Sequence, residues 1–161
     1  SWARPYRRRV NSQEEAARPA CGRRRGAGSL SPMSDFPLPR AVDIGGTILS
    51  VHEAGAGPAI VLVHGWPEIA YSWKNQIGPL ASAGYRVIAP DLKGFGASDA
   101  PKDKALYDIR HLTNDLARLL DALGVDRAIF CGHDWGGAIV WPMAQLHPDR
   151  VAGVVGVCTP H

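Results

Sequence analysis

The chain has 161 residues, of which 45% are hydrophobic, and a formal net charge of +3. This length suits one domain and this composition suits a folded protein, while the absence of an 18-residue apolar run argues against a transmembrane helix. The charge is uneven, because residues 1–32 carry +6 and residues 33–161 carry −3. An acidic body disfavours a basic nucleic-acid-binding face, so no nucleic-acid partner is expected.

Residues 1–34 are predicted to form a disordered, arginine-rich leader. Three consecutive arginines occur at Arg7–Arg9 and again at Arg23–Arg25, without apolar periodicity. Such a segment buries too little apolar surface to offset the entropy of ordering it, and it lacks the apolar core of a secretory signal. We interpret it as translated sequence upstream of a start at Met33. An organelle transit peptide and a plain basic tail are the alternatives, and nucleic-acid binding through it is the least favoured.

The body, residues 35–161, begins with a predicted β-hairpin. Strand-like runs at Ala41–Ile44 and Thr47–Glu53 flank Gly45-Gly46, which is a signal for a two-residue turn. The continuous apolar run Ala59–Val63 follows, as expected for a strand buried on both faces of a parallel sheet.

Helices and strands then alternate to the end of the chain. We predict helices at Ser72–Ala83, Tyr107–Leu123 and Trp135–Leu146, and strands at Arg86–Ala89, Ala128–Cys131 and Val151–Val157. This alternation predicts an α/β fold with a mostly parallel sheet, flanking helices and the hairpin at one edge. Functional residues in such sheets lie at the carboxyl ends of strands, where residues 64–68 and 132–137 form two reactive loops.

The segment Cys131-Gly-His-Asp-Trp-Gly-Gly137 has the layout of a nucleophile elbow, a strand that turns sharply into a helix. Gly132 and Gly136 flank the central Asp134 because larger residues would clash in this strained turn. A carboxylate at the centre can attack carbon and form an ester intermediate. The amino terminus of the following helix is expected to keep Asp134 ionised. The alternative for Asp134 is a helix N-cap.

The second loop is His64-Gly-Trp-Pro-Glu68, directly after the most apolar strand. The backbone N–H groups of Trp66 and Trp135 are predicted to form an oxyanion hole for hydrolysis of the ester. His64 could serve as a general base, but we interpret it as a brace that holds the loop by hydrogen bonds. His133 is also interpreted as structural, because it cannot easily point in the same direction as Asp134.

These two motifs, with Tyr71-Ser-Trp73, Asp91–Ser98 and Thr159-Pro160, resemble the α/β-hydrolase superfamily and within it the epoxide hydrolase branch, over residues 38–160. The resemblance implies that Asp134 opens an epoxide, that Trp66 and Trp135 supply the oxyanion N–H groups, and that Trp135 also lines the substrate site. It implies a small hydrophobic epoxide, or a related small molecule, as the partner.

A haloalkane or haloacid dehalogenase is the sister alternative, since it resembles this elbow. Many haloalkane dehalogenases carry a halide-binding asparagine in the oxyanion loop, where this chain has Trp66, and Glu68 follows the proline. Both details favour an epoxide over an alkyl halide as the substrate.

The resemblance further implies a cap domain with two tyrosines, a histidine base and a partner acid. The tyrosines present are Tyr6, Tyr71, Tyr85 and Tyr107, none of them at a cap position, and His161 does not match the base. We therefore expect a fragment truncated before the cap domain, without turnover of its own and with Val151–Val157 as an aggregation-prone edge. A non-catalytic truncated homologue is the alternative.

No cofactor or metal is predicted. No His, Cys, Asp and Glu cluster has ligand spacing, and Gly94-Phe-Gly96 lacks the rest of a nucleotide-binding motif. Cys131 and Cys158 are interpreted as small buried hydrophobes in a reducing compartment, so the predicted location is cytoplasmic. Substrate identity and oligomeric state are not predicted.

Overall fold

The computed structural model describes residues 36–159. The predicted leader, the proposed start at Met33 and His161 lie outside these residues. The strands are β1 (Pro39–Asp43), β2 (Ile48–Ala54), β3 (Ala59–Val63), β4 (Arg86–Pro90), β5 (Ala128–His133) and β6 (Val151–Val157). The helices are α1 (Lys74–Ser82), α2 (Ile109–Ala122) and α3 (Trp135–Leu146), and 3₁₀ turns span Ala70–Trp73, Lys104–Tyr107 and Pro148–Arg150. The predicted order of strands and helices is confirmed.

The six strands form one sheet in the order β1-β2-β4-β3-β5-β6. The last four strands of the chain, β3 to β6, run parallel, while β1 and β2 add an antiparallel hairpin beside β4. The chain moves from β3 outward to β4 and then crosses back to β5 on the other side of β3. The carboxyl ends of β3 and β5 are therefore neighbours, with Val63 paired to Gly132. Because the chain reverses its direction across the sheet at β3, the loops of residues 64–68 and 132–137 lie next to each other.

The hairpin turn is wider than the predicted two-residue turn. Asp43 pairs with Ile48, so residues 44–47 form a four-residue loop. The Asp43 carboxylate accepts hydrogen bonds from the N–H groups of Gly46 and Gly45, at 2.8 and 2.9 Å, and these bonds lower the pKa of Asp43. An aspartate that bonds to its own following backbone ends β1 one residue early.

Two helices begin later than predicted because 3₁₀ turns replace their first residues. The helix expected from Ser72 starts at Lys74, and the one expected from Tyr107 starts at Ile109. In α2 the Asp108 carboxylate accepts from the backbone N–H of His111 at 2.8 Å, which is an N-cap and defines the helix start. Helix α3 has the predicted bounds.

Both faces of the sheet are covered. One buried cluster includes Val61 and Phe130 and packs against α2 and α3, and the other includes Leu62 and packs against Ile77 of α1. All five residues of β3 are buried, which confirms the expected strand with two covered faces. None of the helices between residues 36 and 159 is long and apolar enough to cross a membrane.

Strand β6 is the second edge of the sheet. In the part of the chain that the structure describes, it pairs with β5 alone. Val155 and Val157 are 47% and 38% exposed on this strand. The exposed apolar edge expected for Val151–Val157 is thus present among the described residues.

Candidate active site

Asp134 lies at a sharp turn between β5 and α3. Its φ of 53° is in the left-handed region, which residues other than glycine rarely adopt. Its backbone N–H donates to the carbonyl of Val157 at 3.2 Å, and its carbonyl accepts from the N–H of Gly137 at 3.0 Å. The predicted strained turn is confirmed, and hydrogen bonds to both neighbouring elements hold it.

The glycines that flank Asp134 permit close approach of three backbone segments. A Cβ on Gly132 would collide with the backbone of Gly136, and a Cβ on Gly136 would collide with the carbonyl of Val63. These contacts confirm the prediction that larger residues at positions 132 and 136 would clash. The elbow consequently packs directly against the end of β3.

Two backbone N–H groups hold the side chain of Asp134. The N–H of Trp66 donates to Oδ1 of Asp134 at 3.0 Å. The hydrogen bonds from Trp66 and Trp135 keep the pKa of Asp134 below its ordinary value of 3.8, so the carboxylate is ionised at neutral pH. Asp134 occupies the N-cap position of α3, but its side chain makes no capping hydrogen bond, so the helix-cap interpretation is wrong for the carboxylate.

Gly65 lets the loop after β3 reach Asp134. A Cβ at Gly65 would lie 2.7 Å from the Cβ of Asp134 and 2.9 Å from its Oδ1. Any larger residue would therefore force the loop or the Asp134 side chain to shift, and either shift disturbs the hydrogen bond from Trp66.

His64 is fully buried and braces this loop. Its Nε2 accepts from the backbone N–H of Leu92 at 2.9 Å, so its Nδ1 carries the proton and donates to the carbonyl of Gly65 at 2.8 Å. Burial lowers the pKa of His64 below 6.5 and outweighs the opposing effects of Gly65, Asp91 and Glu68. Both ring nitrogens are occupied in the neutral form, which confirms the bracing interpretation over that of a general base.

Glu68 makes a link between the two loops that the sequence analysis did not assign. Its Oε2 accepts from the N–H of Gly65 at 3.3 Å and from Nδ1 of His133 at 3.2 Å. Burial raises the pKa of Glu68, but the hydrogen bonds from His133, Gly65 and Ser72 together lower it further than burial raises it. His133 contacts Glu68 and so has the structural role expected of it. The signal for this link in the sequence is an acidic side chain at the end of the loop after β3.

The loop after β4 stabilises the chain segment that follows residues 64–68. Asp91 is buried, and its Oδ1 accepts from the N–H of Ala70 at 2.9 Å, just after the loop of residues 64–68. The hydroxyl of Ser98 donates to the carbonyl of Asp91 at 2.6 Å. The segment Asp91–Ser98 is therefore a folded support for the loop that carries Trp66.

An apolar cavity of about 320 Å³ lies beside the two tryptophans. The side chains of Trp66 and Trp135 are 64% and 61% exposed, and both residues line this cavity. Other lining residues are Gly65, Leu92, Lys93, Phe95, Tyr107, Leu112 and Ile139.

A second cavity, of about 350 Å³, contains none of the predicted site residues. Its lining includes Arg110, His111 and His147, around α2 and the end of α3. Within residues 36–159 no group of three or more His, Cys, Asp or Glu side chains could hold a metal ion.

The two described cysteines differ from each other. Cys131 is partly buried and burial raises its pKa, whereas Cys158 is exposed. The interpretation of Cys158 as a buried hydrophobe is wrong, because it follows the edge strand β6.

A family model described as alpha/beta hydrolase fold matches residues 58–161. Epoxide hydrolase A of Mycobacterium tuberculosis is 50% identical over 126 residues, which are 77% of this chain and 39% of that relative. Bifunctional epoxide hydrolase 2 of Sus scrofa is 47% identical over 115 residues, which are 71% of this chain and 21% of that protein. The chain thus spans well under half the length of these curated relatives.

Solved structures give the same fold. Epoxide hydrolase A from Mycobacterium thermoresistibile matches with a TM-score of 0.75 and 51% identity, over 77% of this chain and 40% of that one. An epoxide hydrolase from an endophytic Streptomyces matches with a TM-score of 0.76 and 38% identity, over 79% of this chain and 38% of that one.

Proposed function

Because this chain belongs to the α/β hydrolase fold family, we propose that it supplies the nucleophile and the oxyanion hole of an epoxide hydrolase. Asp134 is the nucleophile in this proposal, and the backbone N–H groups of Trp66 and Trp135 form the oxyanion hole. The curated relatives named above are epoxide hydrolases, and a small hydrophobic epoxide is accordingly the proposed substrate class.

In the first step, a carboxylate oxygen of Asp134 attacks a ring carbon of the epoxide. A new C–O bond forms, the ring C–O bond breaks, and the ring oxygen takes a proton from an acid or from water. The depressed pKa of Asp134 supports this step, because the side chain is a carboxylate at neutral pH.

In the second step, water attacks the carbonyl carbon of the ester, and negative charge develops on the carbonyl oxygen. In this proposal the charge develops on the oxygen of Asp134 that accepts from the N–H of Trp66 at 3.0 Å. Donors that are in position before the charge develops stabilise the intermediate without reorganisation. Release of the diol then returns the carboxylate.

The hydrogen bond from Trp66 to Asp134 carries the proposal. A carboxylate with only a structural role in helix capping would turn toward the N–H groups inside α3. Asp134 instead accepts from Trp66, on the loop after the neighbouring strand, and from Trp135 at the very start of α3, in a turn that costs backbone strain.

The 161-residue chain is proposed to form the ester without hydrolysing it. No imidazole of the described residues hydrogen-bonds to Asp134, since His64 and His133 have the other partners given above. The histidine base, its partner acid and the cap tyrosines of the resemblance have no proposed counterparts among residues 36–159. The cytoplasm remains the proposed location.

Parallel incubations with 1,2-epoxyhexane and 1-chlorohexane test which reaction the site performs. Intact-mass spectrometry should show one added epoxide per chain and no alkylation by the chloride. Alkylation by the chloride alone would favour the dehalogenase alternative. Absence of any adduct would favour a non-catalytic homologue, and steady release of diol would overturn the proposed lack of turnover.

A further inference from the structure

The peptide group between Gly65 and Trp66 is held at both of its ends. Its carbonyl accepts from Nδ1 of His64 at 2.8 Å and from the N–H of Glu68 at 3.1 Å. Its N–H, which is that of Trp66, donates to Oδ1 of Asp134 at 3.0 Å. A peptide group is planar and trans, so its carbonyl and its N–H point in opposite directions. The side chain that orients the carbonyl of Gly65 therefore also orients the N–H of Trp66.

The loop after β4 fixes the position of His64. The N–H of Leu92 donates to Nε2 of His64 at 2.9 Å, and the ring of Phe95 packs against the imidazole at 74°, with the ring centroids 5.2 Å apart. The N–H of Phe95 donates to the carbonyl of Leu92 at 2.9 Å, so both contacts come from one turn. A displacement of this turn would move the imidazole and, through it, the peptide group that follows Gly65.

Lys93 connects the same turn to helix α2. Its Nζ lies 2.6 Å from Oδ2 of Asp115, and the two side chains are only 3% and 13% exposed. The ammonium also lies 5.6 Å from the centroid of the Tyr107 ring. Replacing a buried ion pair with apolar side chains of similar volume is often neutral or stabilising, because the desolvation of two charges offsets their attraction. Such a pair therefore contributes little net stability, but its geometry fixes where the turn lies relative to α2.

We propose that Lys93 and Asp115 are positioning residues for the reaction at Asp134. The ion pair holds the turn against α2, the turn holds His64, and His64 aims the N–H of Trp66 at the carboxylate. Neither side chain of the pair reacts, and its effect reaches the carboxylate through the turn and the imidazole. The inference rests on the proposed function for the reaction itself, whereas the orientation of the Trp66 N–H is measurable without any substrate.

The first test is hydrogen exchange of the Trp66 N–H, followed by NMR in the 161-residue chain. Lys93→Met combined with Asp115→Leu removes both charges, so that neither is left buried without its partner. The free energy of unfolding in urea should change little, whereas the Trp66 N–H should exchange about tenfold faster because its hydrogen bond is less well aligned. The N–H of Phe130, in the buried strand β5, reports opening of the whole fold and should exchange as before. An unchanged exchange rate at Trp66, with or without a loss of stability, would overturn the inference.

The rate of ester formation is the second readout. At saturating 1,2-epoxyhexane the same double variant should be alkylated at Asp134 about tenfold more slowly, because a misaligned group slows the step after binding. The epoxide concentration that gives half the maximal rate should stay within about twofold, since uniform binding is not affected. A raised half-saturating concentration with an unchanged maximal rate would show that the pair acts on binding, and would overturn the inference.

The matched control removes a different ion pair from the same helix. Arg150 lies 2.7 Å from Asp121, which is near the carboxyl end of α2. Arg150→Met combined with Asp121→Leu should leave both the exchange at Trp66 and the maximal rate unchanged. Changes as large as those of the first double variant would show that any weakening of α2 has this effect, and would contradict the specific role of Lys93 and Asp115.

A second variant keeps the inference testable if the first does not fold. Lys93→Gln combined with Asp115→Asn removes the charges and retains the approximate size of both side chains. It should also speed exchange at Trp66 and weaken the ¹⁵N–¹⁵N coupling across the hydrogen bond from Leu92 to His64. An unchanged exchange rate, or faster exchange with an unchanged coupling, would contradict the proposed route. If the unsubstituted chain forms no ester but the Trp66 N–H responds as expected, the proposed function fails and the link between the ion pair and this N–H stands.

Discussion

The backbone N–H of Trp66 lies 3.0 Å from Oδ1 of Asp134, although the two residues are 68 positions apart in sequence. The contact exists because β3 and β5 are adjacent parallel strands whose carboxyl ends lie side by side. It converts two separate sequence motifs into one site, and the predictions below concern the residues that maintain it.

Gly65→Ala should slow alkylation of Asp134 by an epoxide by about ten- to a hundredfold, since a misplacement of about 1 Å costs roughly that much rate. The new Cβ would lie 2.7 Å from the Cβ of Asp134, so the loop must move. Gly78→Ala is the matched control, because a Cβ there meets no atom within 4 Å and Gly78 lies inside α1. Adduct formation followed by mass spectrometry should be slowed in the first variant alone; equal rates would refute the steric argument.

The free energy of unfolding should fall as the pH is lowered below about 6.5, the ordinary pKa of histidine. Burial holds the folded-state pKa of His64 below 6.5, so in this window the unfolded chain binds a proton that the folded chain does not. Below the folded-state pKa of His64 this contribution is fully lost. Urea unfolding at several pH values measures how the free energy of unfolding changes with pH.

The control for this slope is the exposed His111, whose ring contacts Asp108. His111→Gln should keep the fall in stability that His64 causes, whereas His64→Gln should reduce it. A slope that is the same in both variants would contradict the assignment to His64.

Glu68→Ala should slow alkylation of Asp134 with little change in unfolding free energy. The Glu68 and His133 side chains are each 34% exposed, so their pairing is worth no more than about 1 kcal/mol. The rate should fall because the loop that carries Trp66 is then less well aligned with the turn at Asp134. Glu68→Gln retains an acceptor oxygen and should restore part of the rate; if it behaves like Glu68→Ala, the negative charge and not the hydrogen bond is required.

The 161-residue chain should self-associate through β6. An apolar edge strand offers unpaired backbone groups to another chain, and Val155 on this strand is 47% exposed. Val155→Lys places a charge on the edge and should reduce association, as measured by sedimentation velocity. A monodisperse monomer before substitution would show that the edge is protected.

Features that depend on neighbouring residues were predictable from the sequence. The five apolar residues of β3 indicate a strand buried on both faces, and Gly132 and Gly136 indicate a tight turn around Asp134 whatever lies elsewhere. The meeting of the two loops also followed, because parallel strands with crossover helices bring their carboxyl ends to one side.

Features that depend on the path of long loops were not predictable. The contact of Glu68 with His133 spans 65 positions, and that of Lys93 with Asp115 joins a loop to a helix. From the sequence alone, the side chains of Glu68 and Lys93 could equally have pointed to solvent. The 3₁₀ starts of the helices and the exposure of Cys158 likewise depend on tertiary packing, which overrides local propensity.

Peptide mapping after incubation with 1,2-epoxyhexane tests the central proposal most directly. Trypsin should release residues 128–150 as one peptide, which contains Asp134 together with Cys131 and His133. The account predicts one added epoxide as an ester on Asp134, and its loss in Asp134→Asn. Modification on Cys131 or His133 instead, or an adduct that persists in Asp134→Asn, would contradict the assignment of Asp134 as the nucleophile.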